Sequence, residues 1–529
     1  MNAEQIFRAL GLIDPELVAD AVPGPAIQRR RPPGRSLLAA AACLTVLCVA
    51  GGWLITGGFQ GFGSGGSGDA PGEASGGSSD GISSGEGNEN DRMTFMQYSG
   101  PVFPLATVED PAGLTAERTL TWDFSPGAYP DGEPRQWGAN VTDAYALTNS
   151  TDEAITATVL YPFSGNFREL YQQLPSVTLN GAEAETTLYA GTYSGGFQSA
   201  FGSDIPDTLN LDTLSSWEEY KALLDSGEYL TQALGEAPVL DVPVTVYDFT
   251  DFAAPHQTYR AATQAIAFTI EENTTQIFTY GFNGLDSDEN GFRRYSYFVP
   301  DGRRAESNVK LLIVLGEDIQ DYTLQGYQDG GCNSGEEIDG VSCTVTRTET
   351  TLATVLDRLC QAYMEEYIKY QASDQNNAFD TVPLPMYRRA VAELLTQYGP
   401  LGENAMDRYL DGRLDDILSE TLSQDRVFYL SFPVTIPAGD RAEMAFQLWK
   451  SPSHNFFCDS DGDDLQGYDL VTQLGSALTF SRQTVLLENT ETITIARQNL
   501  GFDLEKGITS VTLDLSEEHY YLEIQEKGN

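Results

Sequence analysis

The polar and apolar positions divide this chain into stretches of different period. Residues 37–56 read LLAAAACLTVLCVAGGWLIT, with no charge. At about 1.5 Å rise per residue this run matches the roughly 30 Å of a bilayer core, so it predicts a single transmembrane helix. Trp53 sits near its far end, where amphipathic rings favour the membrane interface. Residues 57–92 then lose apolar periodicity, and 13 glycines and 7 serines fill them. Such a linker spans about 33 Å r.m.s..

From Met93 to residue 348 the period becomes two. Val141, Tyr145 and Leu147 alternate with smaller or polar residues up to a break at Asn149–Asp152. Ile155–Phe163, Val242–Tyr247, Ala265–Ile270, Gln276–Phe282, Tyr295–Val299 and Lys310–Leu315 read as further strands. Asn180-Gly181 signals a hairpin, because both residues tolerate the positive φ that matches strand twist. Ser216 caps a short helix over Trp217–Leu224.

Residues 349–424 switch to helical spacing. Leu352, Val355, Leu356, Leu359, Tyr363, Tyr367 and Ile368 line one helix face, Pro385 opens a second helix that Gly399 closes, and Glu403–Leu422 forms a third. In 425–529 alternation returns, with Phe428, Leu430, Phe432, Val434 and Ile436 on one face. The pattern leaves open whether this C-terminal β region completes the first one or stands apart. With no βα alternation, the expected class is mainly β with a helical insertion (α+β). The expected architecture is an antiparallel β-sandwich ectodomain on a single transmembrane helix.

Charge orients that helix. Arg29, Arg30, Arg31 and Arg35 precede the apolar run, and no Lys or Arg follows until Arg92. The positive-inside rule makes 1–36 a cytoplasmic peptide and leaves the rest outside a plasma membrane. A cleaved signal peptide fits less well, since the apolar run exceeds the 7–15 residues of a usual h-region. The chain has 77 acidic and 30 basic residues; setting aside the four acidic and five basic ones before the run leaves 73 against 25 outside. That field repels nucleic acid and favours solubility outside the cell. Histidine occurs only at 256, 454 and 519, in unrelated contexts, which disfavours zinc hydrolases and histidine-based triads.

The order LGLIDPELVADA, an arginine cluster, then AAACL inside the run resembles the N-terminal anchor of exported single-pass proteins of anaerobic Gram-positive bacteria. The resemblance covers roughly the first 55 residues and implies export. In some such proteins the inside peptide is suspected of an anti-sigma-like role, although no His/Cys zinc motif of that kind is present here.

Four features hold candidate chemistry. Asp286, Asp288 and Asn290, followed by Gly291, match the first half of a Ca²⁺ loop, but Tyr297 stands where the bidentate Glu belongs; the same residues suit a hairpin turn. Asp459, Asp461 and Asp463 form a second acidic loop that would either be solvated or hold a cation. Tyr161, Phe167, Tyr189 and Tyr193 lie in an aromatic, glycine-containing stretch that suggests a ligand loop. Cys332 and Cys343 flank a Gly-rich acidic loop and could form a local disulfide. No catalytic motif emerges, and no cofactor is implied beyond Ca²⁺. The leading functional expectation is a non-catalytic ectodomain that binds an envelope glycan or protein. The alternatives are a transmembrane regulator with a cytosolic docking peptide and a carboxylate-dependent extracellular hydrolase.

Overall fold

Alternation in Leu114–Asp123 sets Leu114, Ala116, Arg118, Leu120 and Trp122 on one buried face and leaves the intervening residues more exposed. This strand runs through the middle of the largest sheet. The computed structural model describes residues 99–527, except 129–133, 136, 194–230, 232, 256–260, 301–307, 371–377, 403–404, 406–408, 456–464 and 475. The apolar run at 37–56, the linker and the helix expected over Trp217–Leu224 lie outside the described residues. No helix among the described residues is long and apolar enough to cross a membrane. The described residues all belong to one compact unit and are mostly β.

The first strands are β1 (Ala106–Thr107), β2 (Leu114–Asp123), β3 (Gly127–Ala128), β4 (Pro134–Arg135), β5 (Ala139–Asn149) and β6 (Ile155–Gly165). A short helix α1 (Leu170–Gln173) follows, then β7 (Ser176–Leu179), β8 (Ala182–Glu183) and β9 (Thr187–Tyr193). The second block holds β10 (Pro243–Ala253), β11 (Thr263–Thr269), β12 (Thr275–Tyr280), β13 (Gly284–Ser287), β14 (Phe292–Phe298), β15 (Lys310–Gly316), β16 (Tyr322–Tyr327) and β17 (Ser342–Thr351). Helices α2 (Leu352–Tyr370), α3 (Ala378–Thr381), α4 (Leu384–Gln397) and α5 (Leu414–Ser423) complete it. The last strands are β18 (Arg426–Ile436), β19 (Arg441–Lys450), β20 (His454–Asn455), β21 (Leu465–Val471), β22 (Thr479–Glu488), β23 (Ile493–Gln498), β24 (Ser510–Thr512) and β25 (His519–Glu526).

The C-terminal strands complete the first β region. β18 pairs with β6 along its full length, and β19 pairs with β5. The seven-stranded sheet runs β24-β22-β2-β5-β19-β7-β8. One part of its apolar face meets the β1-β6-β18-β9 sheet, where Tyr161 stacks on Phe446 with ring centroids 3.8 Å apart. The other part meets the β20-β21-β25-β23 sheet through Leu120, Trp122 and Val485 against Tyr468, Leu470 and Leu522. Pairing is antiparallel throughout the named sheets except between β2 and β22, which run parallel.

Arg118 sits on β2 between these two apolar zones, fully buried. Its Nε and Nη2 reach the two oxygens of Asp143 on β5, each at 2.8 Å. The remaining donors go to the Phe103, Val471 and Gln483 oxygens, so all five guanidinium protons are used. Phe103 belongs to a segment that bonds first to β21, through Val102 and Asp469, and then to β6 through β1. One buried side chain thus ties together the elements of three sheets.

The block from β10 to α5 is inserted between β9 and β18. The β12-β15-β10-β17 sheet packs one face on the β13-β14-β11-β16 sheet through Phe249, Leu312 and Val314 against Ile266, Phe268 and Tyr297. Its other face, with Val246, Phe278, Leu311 and Ile313, packs with apolar residues of α2, α4 and α5. Burial on both sides explains why β15 reads as a continuous apolar run. Arg426 at the start of β18 lies 3.5 Å from Glu393 of α4, joining the helices to the outer sheets.

At the start of α5, both Asp415 oxygens accept the Gly281 amide at 2.9 Å. Gly281 has φ +78°, and a Cβ there would lie 2.4 Å from the Val309 carbonyl oxygen, so the turn requires glycine. Burial pushes the Asp415 carboxyl up to about 6, against the opposing pull of that amide and of Lys310. The folded chain therefore holds a proton that the unfolded chain releases near pH 4. Its contribution to stability falls as pH rises from about 4 through 6. Asp415→Asn should remove this slope, measured as the melting temperature across pH 4–7.

Candidate ligand-binding cleft

A polar cleft of about 240 Å³ opens where β6, α1, β18 and β19 end near one another. It is lined by Ser99, Ser164, Gly165, Asn166, Glu169, Gln173, Ser423, Asp425, Trp449, Lys450 and Ser451. Gly165 leaves room for Gln173, since a Cβ there would lie 2.3 Å from Gln173 Oε1 and displace it. That oxygen accepts the Asn166 amide at 3.0 Å, and Gln173 Nε2 donates to Glu169 Oε2 at 3.3 Å. Asp425 accepts from Ser99 Oγ at 3.0 Å and from Asn166 Nδ2 at 3.1 Å. Trp449 forms a fixed wall. Cβ atoms at Gly127 and Gly138 would run into its ring, and the Arg135 guanidinium carbon lies 4.8 Å from its centroid.

Two groups in the cleft are unusual. Ser164 is only 9% exposed, and its Oγ has no hydrogen-bond partner among the described residues. Lys450 is 4% exposed; its Nζ donates to the Ser451 carbonyl at 2.9 Å. Burial lowers the Lys450 ammonium to about 8, although Asp425 and Asp469 pull the other way. Glu169 is exposed and lines the cleft. Desolvation raises its carboxyl, and the Asp425 charge adds to the rise against Arg135 and Arg168.

Behind Lys450 lies a buried titratable network. His454 sits between Asp469, 3.6 Å from its Nδ1, and Glu523, 3.4 Å from its Nε2. His519 Nε2 is 2.9 Å from the other Asp469 oxygen, and Arg497 pairs with Glu523. Burial disfavours charge on His454, but hydrogen bonds to Asp469 and Glu523 outweigh it and raise the imidazole to about 9. Burial likewise opposes ionisation of Asp469, yet the two histidines hold it far below the usual carboxylate range.

The sequence-predicted sites fare differently. Asp286 pairs with Arg294, and Asp288 Oδ1 accepts the Asn290 and Phe292 amides, so this segment is a hairpin turn between β13 and β14. Among the described residues no three His, Cys, Asp or Glu side chains gather to hold a metal ion. Asp459, Asp461 and Asp463 lie outside the described residues. Cys332 and Cys343 are free thiols. Cys332 packs with Ala265 and Tyr327, whereas Cys343 packs on the opposite side of the same sheet against the cluster of Ile266 and Tyr297. The sheet stands between them, and no local bridge forms.

The expected ligand loop is largely core. Tyr161 and Phe167 are fully buried, and Arg426 lies 4.7 Å from the Phe167 ring centroid. Tyr189 is half-buried opposite Tyr429, and the Tyr193 backbone pairs with Arg426. Sequence reasoning missed Glu169, Asp425 and Lys450, which share no spacing. It also read His454 and His519 as unrelated, although they meet at Asp469. No known protein-family model matches the chain, and no curated protein is similar to it.

Proposed function

We propose that the chain is a single-pass envelope protein whose β-sandwich ectodomain binds a small saccharide, without catalysis, in this cleft. The anchor rests on the uncharged run at 37–56 and the arginines before it, and lipid through that run is the first partner. The Ser164 hydroxyl carries the ligand reading. A buried hydroxyl without a partner is costly unless something else satisfies it, and this one belongs to a residue that lines a cleft. Around it stand two amides, two carboxylates, three further hydroxyls from Ser99, Ser423 and Ser451, and an amine. A sugar ring needs closely spaced donors and acceptors of these kinds. The volume falls below the roughly 300–1,000 Å³ of sites for drug-sized ligands, which suits one sugar unit at the end of a glycan.

The test is calorimetry of the full-length protein in detergent against a panel of envelope saccharides. One should bind, and Ser164→Ala should weaken it roughly 5- to 100-fold by removing a buried hydrogen bond. The same substitution should leave the melting temperature unchanged or raised, because it deletes an unsatisfied group. Absence of any saccharide ligand, or equal affinity in the variant, would overturn the proposal.

A further inference from the structure

Lys450 differs from the buried arginines Arg118 and Arg426. Arg118 is held by Asp143, and Arg426 lies beside Glu393 and over Phe167. Among the described residues Lys450 has one protein partner, the Ser451 carbonyl. The residue is almost wholly buried, yet it lines the cleft. A buried ammonium without an ion pair is relieved by losing its proton, and a desolvated neutral amine is a nucleophile toward carbonyl carbon.

We infer that Lys450 captures the carbonyl carbon of a small aldehyde or ketone, such as the open-chain form of a reducing sugar, as an imine within the cleft. This rests on the saccharide reading above and adds a covalent step to it. The groups that face Lys450 are Asp425 and Asp469, with Glu169 across the cleft, His454 behind Asp469, and Arg135 on the Trp449 ring. With the ammonium lowered to about 8, about a tenth is neutral at pH 7.

The Nζ lone pair attacks the carbonyl carbon, a C–N bond forms, and the oxygen takes up the negative charge. A proton moves from nitrogen to that oxygen through the cleft carboxylates, giving a carbinolamine. Glu169, protonated from solvent, then donates that proton to the hydroxyl. The C–O bond breaks, water leaves, and a protonated imine remains opposite the new Glu169 carboxylate. Nothing is oxidised or reduced.

Reductive trapping tests this on the full-length protein. Glyceraldehyde or ribose is added with cyanoborohydride at pH 7.5, and adducts are mapped by peptide mass spectrometry. The peptide bearing Lys450 should be modified at least tenfold faster than the one bearing exposed Lys506. The rate should climb between pH 7 and 9 with the neutral amine, and Lys450→Met should lose the adduct. Since removal of a buried unpaired charge does not by itself unfold a protein, a melting curve of that variant checks the control. Equal labelling of Lys450 and Lys506, or no adduct at Lys450, overturns the inference. If calorimetry still detects saccharide binding in that case, the covalent step alone falls and the non-covalent reading stands.

Discussion

Arg118→Ala is expected to cost about 3–5 kcal/mol of folding stability, the range for removing one partner of a buried ion pair. The substitution strands Asp143, which is fully buried, and leaves Phe103, Val471 and Gln483 without a shared donor. Asp143 would keep the Tyr145 hydroxyl, which donates to it at 2.7 Å, and the more distant Tyr161 hydroxyl at 3.4 Å, but no cation among the described residues. Urea denaturation of the full-length protein measures the loss. Replacing both charges, Arg118→Met with Asp143→Leu, should recover most of it, because no buried charge is then left unpaired. A single variant within about 1 kcal/mol of the parent would show that the two outer sheets do not depend on this side chain.

The second large effect is alkaline. His454 holds its proton to about 9 in the folded chain, against about 6.5 in an unfolded one. Its contribution is therefore complete below pH 6.5 and is lost as pH rises through 9, a total of roughly 3 kcal/mol by linkage. On the acid side, Asp469 is held low, so the same pairing is lost only below the usual carboxylate range. Lys450 acts with opposite sign: its folded value of about 8 lies below its unfolded one, so stability rises between about 8 and 10.5. Between 6.5 and 8 the histidine therefore sets the sign of the slope, and Lys450 offsets part of it as pH nears 8. His454→Gln should lower stability at pH 6 and flatten the slope across that window, read from urea midpoints at half-unit intervals. A parent protein with no slope there would refute the assignment.

Local signals in the chain were legible where neighbours decide structure. Asn180 and Gly181 both take positive φ and turn β7 into β8. The apolar stripe from Leu352 forms α2, and Lys310–Gly316 forms a strand. The aromatic stretch misled because period two does not say whether a face meets solvent or a second sheet; Tyr161 and Phe167 meet a second sheet and a buried arginine. Of the third expected helix, the described residues form α5 over Leu414–Ser423, and its expected start at 403–404 and 406–408 lies outside them. The cleft was illegible for a plainer reason. Ser99, Ser164, Asp425 and Lys450 come together through long-range strand register, which no local spacing encodes.

The parallel bond between β2 and β22 sets a timetable for synthesis. Arg118 and Gln483, which touch across that pair, are 365 positions apart. At roughly 5–20 residues per second of elongation, the first strand waits on the order of 20 to 70 seconds for its neighbour to emerge. Nascent chains that stop short of Thr479 have no cover for that edge. The inserted block, whose partners are close in sequence, can mature in the meantime, and the molecule closes last around its own tail.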